Sequence, residues 1–267
     1  MAHFNYKTDS DNEVVIRYSS LKAEDETLKV SRDFLHKLMK EFARLSMNYF
    51  QPKYHACFMP YYYSERRLDS IVLPAISKIC DGVVLTELGV ERSDQKTGET
   101  IGNGHGRADY WCIYKGYSFI IEMKGSKDRY DCETVRQNSI VNRWGKMINQ
   151  LESAVLDCKG RHEKTKGVIR IGLHFVTSFA KGFPTDESIA SYRSNINGYM
   201  EDFYDRIHEE YLKVEYEPTY MASWLIPDNI IKCSYREKED TYAGVMLMAK
   251  VFTAIKQTDD DKGDLNL

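Results

Sequence analysis

The stretch GRADYWCIYKGYSFIIEMKGS, residues 106–126, limits what this chain can fold into more than any other. Two runs rich in aromatic and aliphatic residues flank Lys115-Gly116, which reads as two short strands joined by a tight turn. Side chains alternate along a strand, so Ile120, Glu122 and Lys124 share one face while Phe119, Ile121 and Met123 share the other. A symmetric two- or four-residue turn sets Tyr114 against Tyr117 and Ile113 against Ser118. Continued down the ladder, the same register sets Asp109 against Glu122. A three-residue loop without a compensating bulge would set Asp109 against Ile121 and scatter the charged set. Lys-Gly is not the favoured pair for a two-residue turn, so the register rests on the apolar pattern. Two facing carboxylates repel, and their placement asks for a cation between them. With a lysine two residues on, the set suits a divalent metal and a phosphate.

A chain of 267 residues, 42% hydrophobic and 29% charged, can bury a substantial core and has the composition of a soluble globular protein. Its net charge of −3 neither advertises nor excludes nucleic-acid binding, which depends on a local basic patch. No apolar run approaches the ~18–20 residues that cross a bilayer, and the first residues lack the pattern of a signal peptide. The six cysteines show no paired metal spacing, and Cys112 falls inside a strand. These features point to a cytoplasmic protein with reduced thiols and no membrane partner.

In chain order, Val14 to Arg17 reads as a strand, and Ser31 as the cap of a helix running to about Tyr49. The aromatic connection that follows, with Tyr61, Tyr62 and Tyr63, suits either stacking on bases or packing against the domain, and packing is the favoured reading. Ser64 caps a second helix that Pro74 is expected to kink. Val83 to Leu88 is a strand, and residues 89–106 read as a polar, glycine-rich loop. GNGHG within it precedes a strand, not a helix N-terminus, and so lacks anion-cradling geometry. His105 there reads as a solvated loop residue. The apolar stripe from Val135 to Val155 predicts a helix over about 133–157, and Val168 to Phe179 predicts a central strand. A helix between two strands of one sheet implies a right-handed crossover. Thr185 opens a further predicted helix, Met221 to Ile226 and Val245 to Phe252 read as short strands, and the acidic tail reads as disordered.

Other [DE]xK tripeptides occur at Asp94-Gln-Lys96, Asp157-Cys-Lys159 and Asp260-Asp-Lys262. Only Glu122-Met-Lys124 ends an apolar strand, follows a hairpin partner bearing an acid, and precedes Gly-Ser. With the order helix, strand, strand, strand, helix, strand from residue 64, this region resembles the PD-(D/E)XK nuclease superfamily, the restriction-endonuclease-like fold. The match rests on Asp109 in GRADYW and on Glu122 and Lys124 in FIIEMKGS. The motif's proline is absent, Ala108 standing before Asp109.

The resemblance implies an α/β fold, a mixed β-sheet flanked by helices, with N-terminal helical and C-terminal α/β extensions. The expected organisation is an N-terminal helical extension over 1–63, the nuclease-like core over 64–182, a completing helix and strands over 183–257, and a tail over 258–267. It further implies Mg²⁺ or Mn²⁺ held by Asp109, Glu122 and the carbonyl of Met123, with Lys124 orienting or helping to activate water and stabilising charge on the phosphate. Glu65 is the match for a glutamate on the preceding helix, with Glu87 in reserve. Gln150, or else Gln137, matches a glutamine on the following helix. Lys127, Arg129, Arg143 and Lys146 supply a candidate basic face for a nucleic-acid backbone. The expected activity is hydrolysis of phosphodiesters, most simply by a DNA endonuclease of restriction, repair or defence type. The region from 185 onward is a candidate surface for a second copy of the chain or for substrate. A non-catalytic module that binds nucleic acid or a partner on the same fold is the alternative.

Overall fold

The structure, a computed structural model, describes residues 3–7, 13–18, 25–51, 56–57, 59–62, 65–93, 100–129, 137–155, 165–182, 217–227, 232–235 and 238–252, together with 187, 190, 191 and 194. The helix expected from Thr185 and the tail fall almost wholly outside them.

Lys115 (φ 50°) and Gly116 (φ 78°) both take left-handed backbone, as a type I′ hairpin loop demands at its two central positions. They join β6 (Thr100–Tyr114) to β7 (Tyr117–Arg129). The ladder pairs Tyr114 with Tyr117, Ile113 with Ser118, and so on to Tyr110 with Ile121, which is the expected register. It ends there, one pair short of Asp109 and Glu122. Lysine is an unusual occupant of the first loop position, but here its ammonium lies 2.7 Å from Asp33 Oδ2.

Asp33 belongs to α1 (Glu26–Met47), which begins five residues before the expected start at Ser31. Asp25 caps it instead, its Oδ1 accepting from the Thr27 amide at 2.9 Å. Ser31 lies inside the helix and donates to the Thr27 carbonyl. A serine can cap either a helix or its own turn, and the acid six residues earlier wins.

After two-residue strands β3 (Phe50–Gln51) and β4 (Ala56–Cys57) and a 3-10 turn (Pro60–Tyr62) comes α2 (Glu65–Ile79), with Pro74 inside it. Next is β5 (Val84–Ser93), antiparallel to β6. The glycine-rich segment read as a loop is therefore mostly strand: Gly106 pairs with Val90 and His105 with Glu91. Only residues 94–99 between the two strands lie outside the described ones. Past β7 come α3 (Gln137–Ser153), β8 (Ala154–Val155) and β9 (Val168–Lys181), the last pairing parallel to β7 from Ser118↔Val168 to Arg129↔Phe179. The helix expected over 133–157 thus ends at Ser153.

Strands from both termini extend this core. β12 (Lys238–Phe252) lies against β9, β10 (Tyr220–Leu225) against β12, and β2 (Glu13–Tyr18) and β1 (His3–Lys7) follow, with β11 (Lys232–Tyr235) pairing β12. One mixed, ten-stranded sheet results, ordered β1-β2-β10-β12-β9-β7-β6-β5-β8. The first 63 residues thus add two strands to it as well as a helix.

Helices cover both faces, as an α/β architecture requires. Phe34, Leu35 and Phe42 of α1 and Leu68, Ile71 and Val72 of α2 are buried in one core with Phe119, Ile121, Met123, Ile171, Leu173 and Phe175. Ile140, Trp144, Met147, Ile148 and Leu151 of α3 form a second core with Val176, Met221, Met246 and Met248. Tyr61 and Tyr62 are buried in the first, Tyr62 stacked on Tyr242 with ring centroids 3.9 Å apart, so packing occupies them; Tyr63 lies outside the described residues. Among the described residues no helix is long and apolar enough to cross a membrane.

Candidate functional site

Where β6 and β7 part company, the charged residues gather. Asp109 sits on β6 just past the last ladder pair, and its Oδ2 accepts from the Met123 amide at 2.6 Å. A side-chain carboxylate thus does what a backbone carbonyl does in the rest of the sheet. One residue along, Lys124 brings its ammonium to 3.3 Å from Glu122 Oε1, 3.6 Å from Glu65 Oε1 and 3.9 Å from Asp109 Oδ2. The ammonium also donates to the Met123 carbonyl at 2.8 Å. The five groups singled out around the [DE]xK tripeptide therefore meet at one point, with Glu65, not Glu87, completing them. Glu87 lies on β5, exposed, 3.4 Å from Arg107.

Glu65 comes from the opposite side of the hairpin, on the first turn of α2. Its Oε2 accepts from the Gly125 amide at 3.0 Å. That approach needs glycine: a Cβ at position 125 would stand 2.9 Å from Leu68 Cδ1 and 3.3 Å from the Glu65 Cα. One helical turn on, Asp69 accepts from the Tyr110 hydroxyl. Sequence reasoning passed over Asp69, although its i+4 spacing from Glu65 puts both on one edge of α2. At 100° per residue, Arg66 turns from that edge toward solvent beside the site, whereas Arg67 points to the far flank. Both arginines are exposed.

The electrostatics are lopsided. Burial raises the pKa of Asp109, and the nearby Glu65 and Asp69 push it further up, against the Met123 amide and Lys124, which pull it down. Burial disfavours the Lys124 ammonium, yet Glu122, Asp109 and Glu65 outweigh it and raise its pKa. Three carboxylates surround a single ammonium, which raises Lys124 and adds to the effect of burial on Asp109, so the site holds more negative charge than Lys124 balances. Glu122 is the most enclosed, with a side chain only 5% exposed.

A hard divalent cation prefers oxygen donors and commonly takes one or two carboxylates. The donor set of Asp109, Glu122 and the Met123 carbonyl fits such an ion by chemistry and by charge. It is not preassembled as a cage: among the described residues no group of three His, Cys, Asp or Glu side chains stands ready to hold a metal. The Lys124 ammonium lies among these oxygens, and a cation would have to share them with it.

On the α3 side, Glu122 pairs with Gly172 of β9. Met147 and Leu151 close over that glycine, where a Cβ would meet Met147 Cε at 2.7 Å. Gln150, on the same stretch of α3, is half-buried with its Oε1 enclosed. Gln137 opens the helix, and its side chain lies outside the described residues. Arg143 donates to the Gly125 carbonyl and Lys146, one turn on, is exposed. Both share an α3 flank with Gln150.

Lys127, expected on a basic face, is half-buried and has partners within the fold. Its ammonium bonds the Tyr62 carbonyl and lies 5.4 Å from the centre of the Tyr242 ring and 5.9 Å from that of Phe179. It ties β7 to the turn before α2 and to rings on β9 and β12. Arg129, two residues on, is half-buried. Beside Lys124 on the adjoining strand, His174 is fully buried, its Nε2 2.8 Å from Ser126 Oγ and its ring stacked on Trp144. Burial, with Arg143 and Lys124 nearby, pushes its pKa down to about 3, so the imidazole is neutral at physiological pH.

Comparison with protein-family models, with curated proteins and with solved structures found no match.

Proposed function

We propose that this protein is a metal-dependent nuclease hydrolysing phosphodiester bonds, with DNA as its substrate, on a PD-(D/E)XK, restriction-endonuclease-like fold. The observation that carries the reading is the meeting of Asp109, Glu122, Glu65 and the Met123 carbonyl around Lys124 Nζ, all within 3.9 Å. The order α2-β5-β6-β7-α3-β8-β9, in which β8 is two residues long and β9 runs parallel to β7, supports it.

Asp109, Glu122 and the Met123 carbonyl would hold Mg²⁺ or Mn²⁺. When bound there, such an ion supplies charge neutralisation and a more acidic water. Lys124 supplies a compact positive charge for the phosphate. The carboxylates raise its pKa, which suits it to donate to phosphate and to orient the attacking water. Glu65, bound to the Gly125 amide, braces the strand that carries Lys124. Arg143, Lys146 and Arg66 border the site with cations suited to flanking phosphates, and Gln150 stands at its α3 edge.

The test is incubation with Mg²⁺ or Mn²⁺ and plasmid, linear DNA, single-stranded DNA or RNA. Cleavage of DNA is expected, falling by about 100-fold or more in Lys124→Ala. Absence of cleavage on every substrate, or full activity in that variant, overturns the reading. A non-catalytic binding module is the second reading. It draws on the ion pairs themselves, since Lys124 already offsets part of the acid set without a metal. DNA retention that EDTA leaves unchanged, with no turnover, is its signature.

A further inference from the structure

Asp109 is missing from two ladders, not one. Between β6 and β7 the pairs stop at Tyr110↔Ile121. Between β5 and β6 they pass from Thr86↔Tyr110 straight to Leu88↔Ala108, leaving Glu87 opposite Asp109 without pairing. At that position Glu87 takes φ 54°. Among the described residues the other non-glycine at positive φ is Lys115, whose hairpin loop requires it. Nothing in strand geometry requires it at Glu87, and a residue with a Cβ is strained in left-handed backbone. The Glu87 side chain does not account for it either. It is 64% exposed, and its contact is a 3.4 Å pairing with an Arg107 side chain 74% exposed, worth little in water.

We infer that the left-handed backbone at Glu87 is a positioning device for Asp109, a local strain that opens the β5–β6 ladder at one residue. An unbroken antiparallel ladder would tie the Asp109 peptide to Glu87 and hold its side chain square to the sheet. With the tie released, the peptide can turn and bring Oδ2 to the Met123 amide and within 3.9 Å of Lys124. Strain outside a turn and directly across from a candidate ligand is where such distortion tends to mark function. The role lies in the Glu87 backbone, so Glu87 is a positioning residue and not a ligand. The inference rests on the proposed metal site for its consequence, but its geometric part stands without any metal.

Two readouts separate the parts: amide hydrogen exchange at Met123, which reports the Asp109 bond directly, and Mn²⁺ binding by calorimetry. Glu87→Gly accepts left-handed backbone without strain, so it should raise the melting temperature by a few degrees and keep both Met123 protection and Mn²⁺ affinity. Glu87→Ala, which removes the carboxylate and keeps the Cβ, should match the wild type in all three. Glu87→Val, β-branched and intolerant of positive φ, should speed Met123 exchange and weaken Mn²⁺ binding, each by about 10-fold.

Unchanged Met123 exchange in Glu87→Val overturns the inference. So does a loss of affinity in Glu87→Ala, which would make the carboxylate itself the functional group. If Glu87→Val does not fold, the comparison of Glu87→Gly with Glu87→Ala decides: equal melting temperatures, or lost Met123 protection in either, overturn it. A wild type that binds no Mn²⁺ sinks the metal reading alone, and the exchange data still judge the positioning.

Discussion

Gly125→Ala tests whether α2 is docked closely enough to deliver Glu65. The added methyl would sit 2.9 Å from Leu68 Cδ1 and 3.3 Å from the Glu65 Cα, against a comfortable carbon–carbon separation of ~3.5–4.0 Å. Leu68 is 4% exposed and packed among Ile71 and Val72, so its tip has little room to retreat. The α2 backbone must give by a few tenths of an ångström. Overpacking of this kind costs about 1–3 kcal/mol. Replacing glycine by alanine returns roughly 0.4–1 kcal/mol by stiffening the unfolded chain. The clash wins, for a net loss of about 0.5–2 kcal/mol and a fall in melting temperature of roughly 2–6 °C. The Gly125 amide, bonded to Glu65 Oε2, should also exchange faster. A urea-unfolding cycle with Leu68→Ala isolates the cause. Trimming Leu68 makes room for the methyl, so the double variant should be more stable than the sum of the singles by more than ~0.5 kcal/mol. Additive costs, or a stabilised Gly125→Ala with unchanged exchange at residue 125, would refute the close docking.

Two further outcomes bear on charge. Asp109 has a folded pKa above its ordinary 3.8, chiefly through burial; between those values the folded state binds more protons than the unfolded, so stability falls as pH rises through that window. Asp109→Asn keeps an acceptor for the Met123 amide and sheds the buried charge, so it should melt above the wild type at pH 7, with the gap closing as pH approaches 4; a lower melting point at pH 7 would contradict this. If phosphates lie along the flank of α2 beside the site, Arg66→Ala should lower the slope of log affinity against log salt for DNA by about 1 while Arg67→Ala leaves it unchanged, and equal effects would remove α2 from the interface.

Much of the core was legible because its determinants are local. The hairpin register follows from alternation on both strands, and α2, α3 and β9 from apolar periods whose buried members are the residues that keep the period. What misled was punctuation. Gly102, Gly104 and Gly106 read as a loop because glycine breaks most strands, yet β6 runs through them, with Gly106 and Thr100 paired to Val90 and Ser93 of β5. That pairing lies between segments whose sequence gives no alternation to read. Lys127 shows a different limit. Among Asp128 and Arg129 it looks like a solvated charge, and only Tyr62 and Tyr242, distant in sequence, make it an internal donor. Asp69 was within reach, being one turn from Glu65, but a lone acid on a helix carries no weight until Tyr110 and Asp109 are seen across from it.

The register argument holds to Tyr110↔Ile121 and then yields to something the sequence does not display. Had the ladder continued, Asp109 and Glu122 would have been an ordinary cross-strand pair of like charges, repelling at a fixed spacing. Instead the backbone pairing lapses on both sides of Asp109, and side chains take over the bonding: Oδ2 for the Met123 amide, and Glu65 Oε2 for the Gly125 amide. Glu65 turns its other oxygen, and Asp109 the same Oδ2, toward the Lys124 ammonium, so each carboxylate both closes the sheet and faces that cation. The repulsion that a regular hairpin would have suffered becomes a surplus of negative charge at one point, partly met by Lys124 and suited to a cation. A site of this kind depends on the sheet failing at one chosen residue, and the strain at Glu87 sits directly across from it.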